Sequence, residues 1–167
     1  MISKARPKIA DYPFTTKIPV LGVVQVHETS FTVADLPGLI EGASQGAGLG
    51  IQFLKHVERT KILVHLIDLS DPARTDPLVA YRAIRSELKS YNPDLLKRPE
   101  IVVLTKADLP EVQEEMATAK RKLGRVGPNR AGPNRASQKI LTISAATHEG
   151  IDKLLVALEQ LMKKKKK

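Results

Sequence analysis

Asp35, Asp108 and the small residues Ser144, Ala145 and Ala146 each stand at the end of a β-type run, where side chains and backbone groups emerge at a sheet edge. Asp35 follows Phe31-Thr32-Val33-Ala34 and opens Asp35-Leu36-Pro37-Gly38. A carboxylate there can hold Mg2+ through a water, and the backbone N–H of Gly38, unobstructed by a side chain, can approach a terminal phosphate. Asp, Pro and Gly are also ordinary turn residues, so this motif alone decides nothing. Thr105-Lys106-Ala107-Asp108 follows Ile101-Val102-Val103-Leu104. The Asp108 carboxylate can accept hydrogen bonds from both N1–H and the 2-amino group of guanine, a donor pair that adenine lacks, while the stem of Lys106 can lie across the base. Asn is the usual residue before such a Lys; Thr105 brings a shorter side chain with one hydroxyl. The competing role for Asp108 is to cap a helix starting near Pro110. Ser144-Ala145-Ala146 has small side chains that let the main chain offer an N–H to guanine O6.

Magnesium, guanine specificity and base support come in the order in which a GTPase presents them, which points to GTP or GDP with Mg2+. Yet no Gly-x-x-x-x-Gly-Lys-[Ser/Thr] occurs in the 167 residues, so the backbone cradle for the α- and β-phosphates is missing from this sequence. Gly42, Gly46, Gly48 and Gly50 do not make the Gly-x-Gly-x-x-Gly of a dinucleotide site and read instead as a switch segment.

The elements that would position these residues alternate. Val20 to Val26 and Phe31 to Leu36 are β-rich runs around a polar turn at His27 to Ser30, predicting an antiparallel hairpin. Lys61 to Leu69 is nearly continuously apolar, as in a strand buried on both faces, and Ile101 to Leu104 and Lys139 to Ser144 repeat that character. Helices are predicted through Gln52 to Arg59, after Asp76 as N-cap with Pro77 at the first position, from Pro110 to Leu123, and along the stripe Ile151, Leu154, Leu155, Leu158 and Leu161. Tyr81, Ile84, Leu88 and Tyr91 share one face of the second of these. The expected fold is α/β, three layers around a mainly parallel sheet, with the ligand site at the carboxyl ends of its strands. Gly127-Pro128-Asn129-Arg130-Ala131 is repeated at once as Gly132-Pro133-Asn134-Arg135-Ala136, a duplicated loop.

The chain has no cysteine, so disulfides and thiolate metal sites are excluded, and no apolar stretch nears the roughly 18 residues of a membrane span. The start Met1-Ile2-Ser3-Lys4-Ala5-Arg6 lacks the apolar core of a signal peptide, which makes the expected compartment cytoplasmic. Of the net charge of +9, Lys163 to Lys167 supply five, leaving +4 on the body. A terminal lysine run is ordinarily a solvated end; its functional alternative is salt-sensitive contact with RNA.

Lys8-Ile9-Ala10-Asp11-Tyr12-Pro13-Phe14-Thr15-Thr16 and the run from Asp35-Leu36-Pro37-Gly38-Leu39 through Gly50 closely resemble the Obg family of translational GTPases. The resemblance continues through Gln52 to Thr60 and the later motifs to about Leu161; the duplicated loop and the lysine tail fall outside it. It implies that Phe14, Thr15, Thr16, Lys17 and Ile18 form a first switch with Thr16 a direct Mg2+ ligand, and that Asp35 begins a second switch. It also implies a ribosomal partner, the large subunit. Many small GTPases orient the attacking water with a glutamine directly after the switch glycine; the apolar Leu39 cannot do so, which implies slow intrinsic hydrolysis.

In the resembling proteins a first strand, the P-loop and most of a first helix precede the equivalent of Ser3. The chain is therefore expected to be an incomplete small-GTPase-type domain over 1–162 with a lysine tail at 163–167. A slot one strand wide, on the order of two 4.8 Å spacings, is expected between the strands at Phe31 and Lys61. Two functions fit: a GTP-binding domain of an Obg-like GTPase in ribosome assembly or stress control, inactive alone for want of the P-loop, or a nucleotide-independent fragment contacting ribosomal RNA or protein.

Overall fold

The computed structural model describes residues 8–9, 20–35, 55–70, 76–125 and 140–164. Phe14 to Ile18, Leu36 to Gly38, the glycines from Gly42 to Gly50 and the duplicated loop lie outside these residues.

The early hairpin is present. β2 (Val20–Val26) and β3 (Thr29–Asp35) pair antiparallel, from Val20 opposite Asp35 to Val26 opposite Thr29. Only His27 and Glu28 are left to turn the chain, a tighter turn than the polar stretch suggests, and His27 takes φ 50 to make it. A two-residue strand, β1 (Lys8–Ile9), adds antiparallel to β2. It carries no periodicity of its own, which is why the sequence does not announce it.

A second, parallel sheet has the order β4 (Leu63–Asp68), β5 (Glu100–Thr105), β6 (Leu141–Thr142). α1 (Pro77–Tyr91) connects β4 to β5, α2 (Pro110–Gly124) connects β5 to β6, and α3 (Ile151–Lys164) follows. Alternate residues of the central β5 enter opposite layers. Val102 and Leu104 join Ile67, Tyr81, Val112, Ala119 and Leu123 beneath α1 and α2, whereas Ile101 and Val103 join Ile143, Leu154, Leu158 and Leu161 of the α3 layer. This is the expected three-layer α/β arrangement. Among the described residues β3 and β4 are edge strands of separate sheets.

Three expectations need correction. Lys61 to Leu69 does not form a strand buried on both faces: β4 is shorter, and Val64 and Leu66 are 37% and 58% exposed. It is the edge strand of its sheet, and the α3 layer packs under β5 and β6 instead. Strand pairing over 139–144 shrinks to Leu141–Thr142, although the Ile143 N–H still reaches the Leu104 carbonyl at 2.9 Å. The helix expected to end at Arg59 has its last described helical residue at Val57. There the Arg98 guanidinium receives the chain end, donating to the carbonyls of Val57 (2.6 Å), Glu58 (2.7 Å) and Thr60. One planar fork thus gathers the carbonyls of the helix end, adding to the bonds that the Thr60 N–H and hydroxyl already give Val57 O.

α1 starts as its sequence predicts, with the Asp76 carboxylate accepting the Leu78 N–H at 2.8 Å and Pro77 in the first turn. Below it lies a carboxylate the sequence does not advertise. Glu100, 1% exposed in its side chain, accepts from Arg85 Nη1 at 2.7 Å and Tyr81 Oη at 3.3 Å, and lies 3.2 Å from His65 Nδ1. Its charge is paired and hydrogen-bonded, the condition under which burial of an ion is tolerated. On the opposite layer the buried Glu159 of α3 fastens the hairpin, accepting from Thr29 Oγ1 and pairing with His27 Nδ1, both at 3.1 Å, while Phe31 packs on the same layer. Lys163, 2.8 Å away, with His27 and Thr29, holds the Glu159 carboxyl below the usual range against the desolvation that opposes it. The helix continues two residues into the lysine run.

Candidate functional site

β4 and β5 run in register to their last pair, Asp68 opposite Thr105, so the chain leaves both strands at the same level. Thr105 turns its hydroxyl sideways to the Ile67 carbonyl at 3.3 Å, anchoring the start of the loop to β4. Lys106 then takes φ 56, a left-handed conformation uncommon for a residue with a side chain. The turn from Lys106 to Leu109 closes with Leu109 N–H to the Lys106 carbonyl at 3.1 Å. Ala107, buried, is held at both ends: its N–H donates to Ile143 O at 3.0 Å and its carbonyl accepts from Gln113 Nε2 at 3.1 Å. The loop is thereby stretched across the carboxyl end of the sheet, tied to β4 on one side and to the segment after β6 on the other.

Asp108 occupies the third position of that turn and is partly exposed. The competing role foreseen for it, capping α2, is not the one it takes. Leu109 is the N-cap, with no side-chain capping bond, and Asp108 makes no hydrogen bond or ion pair with another described residue. A carboxylate held on a rigid turn and left open is suited to receive donors from outside the chain.

Ser144 is fully buried, with its N–H donating to Glu149 O at 3.0 Å and its Oγ accepting the Thr147 N–H at 3.0 Å. It therefore shapes the loop, and the exposed residues of this motif are Ala145 and Ala146. Gly150 lets the loop return: at φ 73 it lies so close under β6 that a Cβ would meet Thr142 O at 2.1 Å. The Thr105 to Asp108 loop and the Ser144 to Ala146 loop are thus brought together through the Ala107–Ile143 bond.

Asp35 is the last residue of β3, in the other sheet, and is exposed; among the described residues its carboxylate has no hydrogen-bond or ion-pair partner. An open carboxylate is the oxygen donor a hard divalent cation takes. Among the described residues no group of three or more His, Cys, Asp or Glu side chains is placed to hold a metal. Phe14 to Ile18 and Leu36 to Gly38 fall outside the described residues.

Two residues near the Lys106 loop escaped the sequence reading. Lys106 Nζ lies 2.9 Å from Asp68 Oδ2 and 2.8 Å from Ser70 Oγ, and Asp68 Oδ1 accepts both the N–H and the hydroxyl of Ser70 at 2.8 Å. The available signal was the Asp-x-Ser pattern that breaks the apolar run, a common side-chain-to-backbone turn.

Known proteins resemble this chain in sequence and in fold. The family model described as 50S ribosome-binding GTPase matches residues 1–106. The chain is 48% identical over 170 aligned residues to GTPase Obg of Sorangium cellulosum, covering 98% of this chain and 46% of that protein. It is 53% identical over 155 residues to GTPase Obg of Roseiflexus castenholzii, covering 93% of this chain and 33% of that protein. The chain thus spans less than half the length of these curated relatives. A solved nucleolar GTP-binding protein 1 from Plasmodium falciparum superposes with a TM-score of 0.67 at 16% identity, covering 98% of this chain and 78% of that one, a likeness of fold. No helix among the described residues is long and apolar enough to cross a membrane. The chain belongs to the family described as 50S ribosome-binding GTPase and is similar over nearly all of its length to GTPases of the Obg type.

Proposed function

We propose that this chain forms the base-recognising part of an Obg-type GTPase domain, with Asp108 accepting guanine N1–H and the 2-amino group. The observation that carries this reading is the open carboxylate of Asp108 on a turn whose other residues are all tied down. The N–H of Ala145 or Ala146 meets O6, since that of Ser144 is already engaged. Asp35 and Thr16 are the residues that would hold Mg2+, which when bound neutralises phosphate charge. The whole protein acts in the cytoplasm on the large ribosomal subunit, and the terminal lysines contribute salt-sensitive contact to its RNA.

The chain is expected to stabilise a transferring phosphoryl group poorly, because the Gly-x-x-x-x-Gly-Lys-[Ser/Thr] pattern, whose backbone donors and lysine do this, does not occur in its 167 residues. The chain alone is expected to turn over GTP no faster than a protein-free control. Joining a strand and Gly-x-x-x-x-Gly-Lys-Ser segment ahead of residue 1 should produce slow, Mg2+-dependent phosphate release. Robust turnover by the unjoined chain, abolished by Asp35→Ala, would contradict the reading. Salt-sensitive RNA binding with no response to nucleotide in either form would favour the nucleotide-independent alternative.

A further inference from the structure

We infer that Asp68 and Ser70 are positioning residues for the base, latching the Lys106 ammonium so that the lysine stem is laid out at the mouth of the 105–108 turn. The inference rests on the guanine reading above and adds to it residues outside the motif.

The geometry is a closed triangle. Asp68 Oδ1 is locked by the backbone N–H and the hydroxyl of Ser70, which leaves Oδ2 facing Lys106 Nζ at 2.9 Å. The Ser70 hydroxyl donates to Asp68 and accepts from Lys106 at 2.8 Å, so each member orients the other two. Desolvation opposes ionisation of Asp68, but the Lys106 and Ser70 hydrogen bonds and the lysine charge prevail and keep its carboxyl below the usual range. The backbone contributes as well: β4 and β5 end level, and the φ of 56 at Lys106 turns the chain where strand pairing stops. A non-glycine residue held in this region carries a conformational cost that the fold maintains.

Stability does not account for the triangle. The Asp68 and Lys106 side chains are 42% and 51% exposed, and ion pairs so wetted add little to folding. Its consequence is local. A lysine stem is flexible, with a cation at its tip, and Asp108 is only two residues further on; with the ammonium paired to Asp68, the rotamer that draws the cation away from the Asp108 carboxylate is favoured a few-fold. Ordering the stem before the ligand arrives lowers the entropy lost on binding.

The test uses the full chain, with GDP and ADP as probes in ligand-observed NMR titrations and thermal midpoints measured in parallel. Asp68→Asn and Lys106→Ala should each weaken GDP binding about three- to fivefold, the scale of one exposed contact between a cation and an aromatic ring. The double variant should be no weaker than either single one, because Asp68 acts only through Lys106. Thermal midpoints should stay within about 2 °C of the unaltered chain, as an exposed pair requires. The GDP to ADP preference should also be unchanged, in contrast to changes at Asp108. If Asp68→Asn weakens binding just as much in the Lys106→Ala background, or leaves GDP binding unaltered, the latch is overturned while the guanine reading stands. An unaltered chain that discriminates nothing between GDP and ADP overturns the guanine reading and this role with it.

Discussion

Replacing Gly150 by alanine is expected to lower the unfolding free energy by about 3–5 kcal/mol, the scale of a backbone strain and a steric clash acting together. The new methyl would stand 2.1 Å from Thr142 O and 3.2 Å from Thr142 C, and the obstacle is main chain, which cannot rotate away as a side-chain tip can. The φ of 73 adds a left-handed penalty for any residue bearing a Cβ. Relief requires β6 to slide from β5, and that would disturb the Ile143–Leu104 and Ile143–Ala107 bonds that hold the two site loops together. Chemical denaturation should therefore show an earlier midpoint, with guanine nucleotide binding lost in the same variant. A loss under about 1 kcal/mol would mean that the loop relaxes freely and does not brace the site.

Asp108→Asn is expected to change the base preference by about a hundredfold from guanine towards xanthine, as two charge-assisted hydrogen bonds are worth together. The carboxylate accepts from both guanine donors; the asparagine amide sets an N–H against one of them. Xanthine carries a carbonyl where guanine has the 2-amino group, so that N–H finds an acceptor. Folding should be hardly affected, since Asp108 neither caps α2 nor pairs with another described residue. Competition of GDP against xanthosine diphosphate measures the exchange, and an unchanged preference would remove Asp108 from the role.

Features set by neighbours in sequence were legible before the structure. Asp76-Pro77 announces the start of α1 because the cap and the fixed proline φ act within one turn. The apolar run at Ile101 to Leu104 announces a central strand because both of its faces are covered. Lys61 to Leu69 misleads for the same reason: composition reports apolar residues, whereas burial depends on what packs above them, and β4 lies at an edge. At the site, the motif residues Thr105 to Asp108 were readable, but not their restraints. The partners of Lys106 lie in another strand and the loop after it, the partner of Ala107 beyond the next helix, and the backbone that excludes a side chain at Gly150 in β6. Asp108 as base acceptor and Asp108 as helix cap looked alike in one dimension; with the N-cap at Leu109 the capping role falls away.

The central claim is that the carboxyl end of β5 and the loop after β6 select guanine. A titration of the unaltered chain with GDP and with ADP, each with and without Mg2+, tests it most directly. The account predicts weak binding, at least about tenfold tighter for GDP than for ADP on the strength of one unmatched charged hydrogen bond, and nearly the same with or without Mg2+. Equal affinity for the two nucleotides would contradict it.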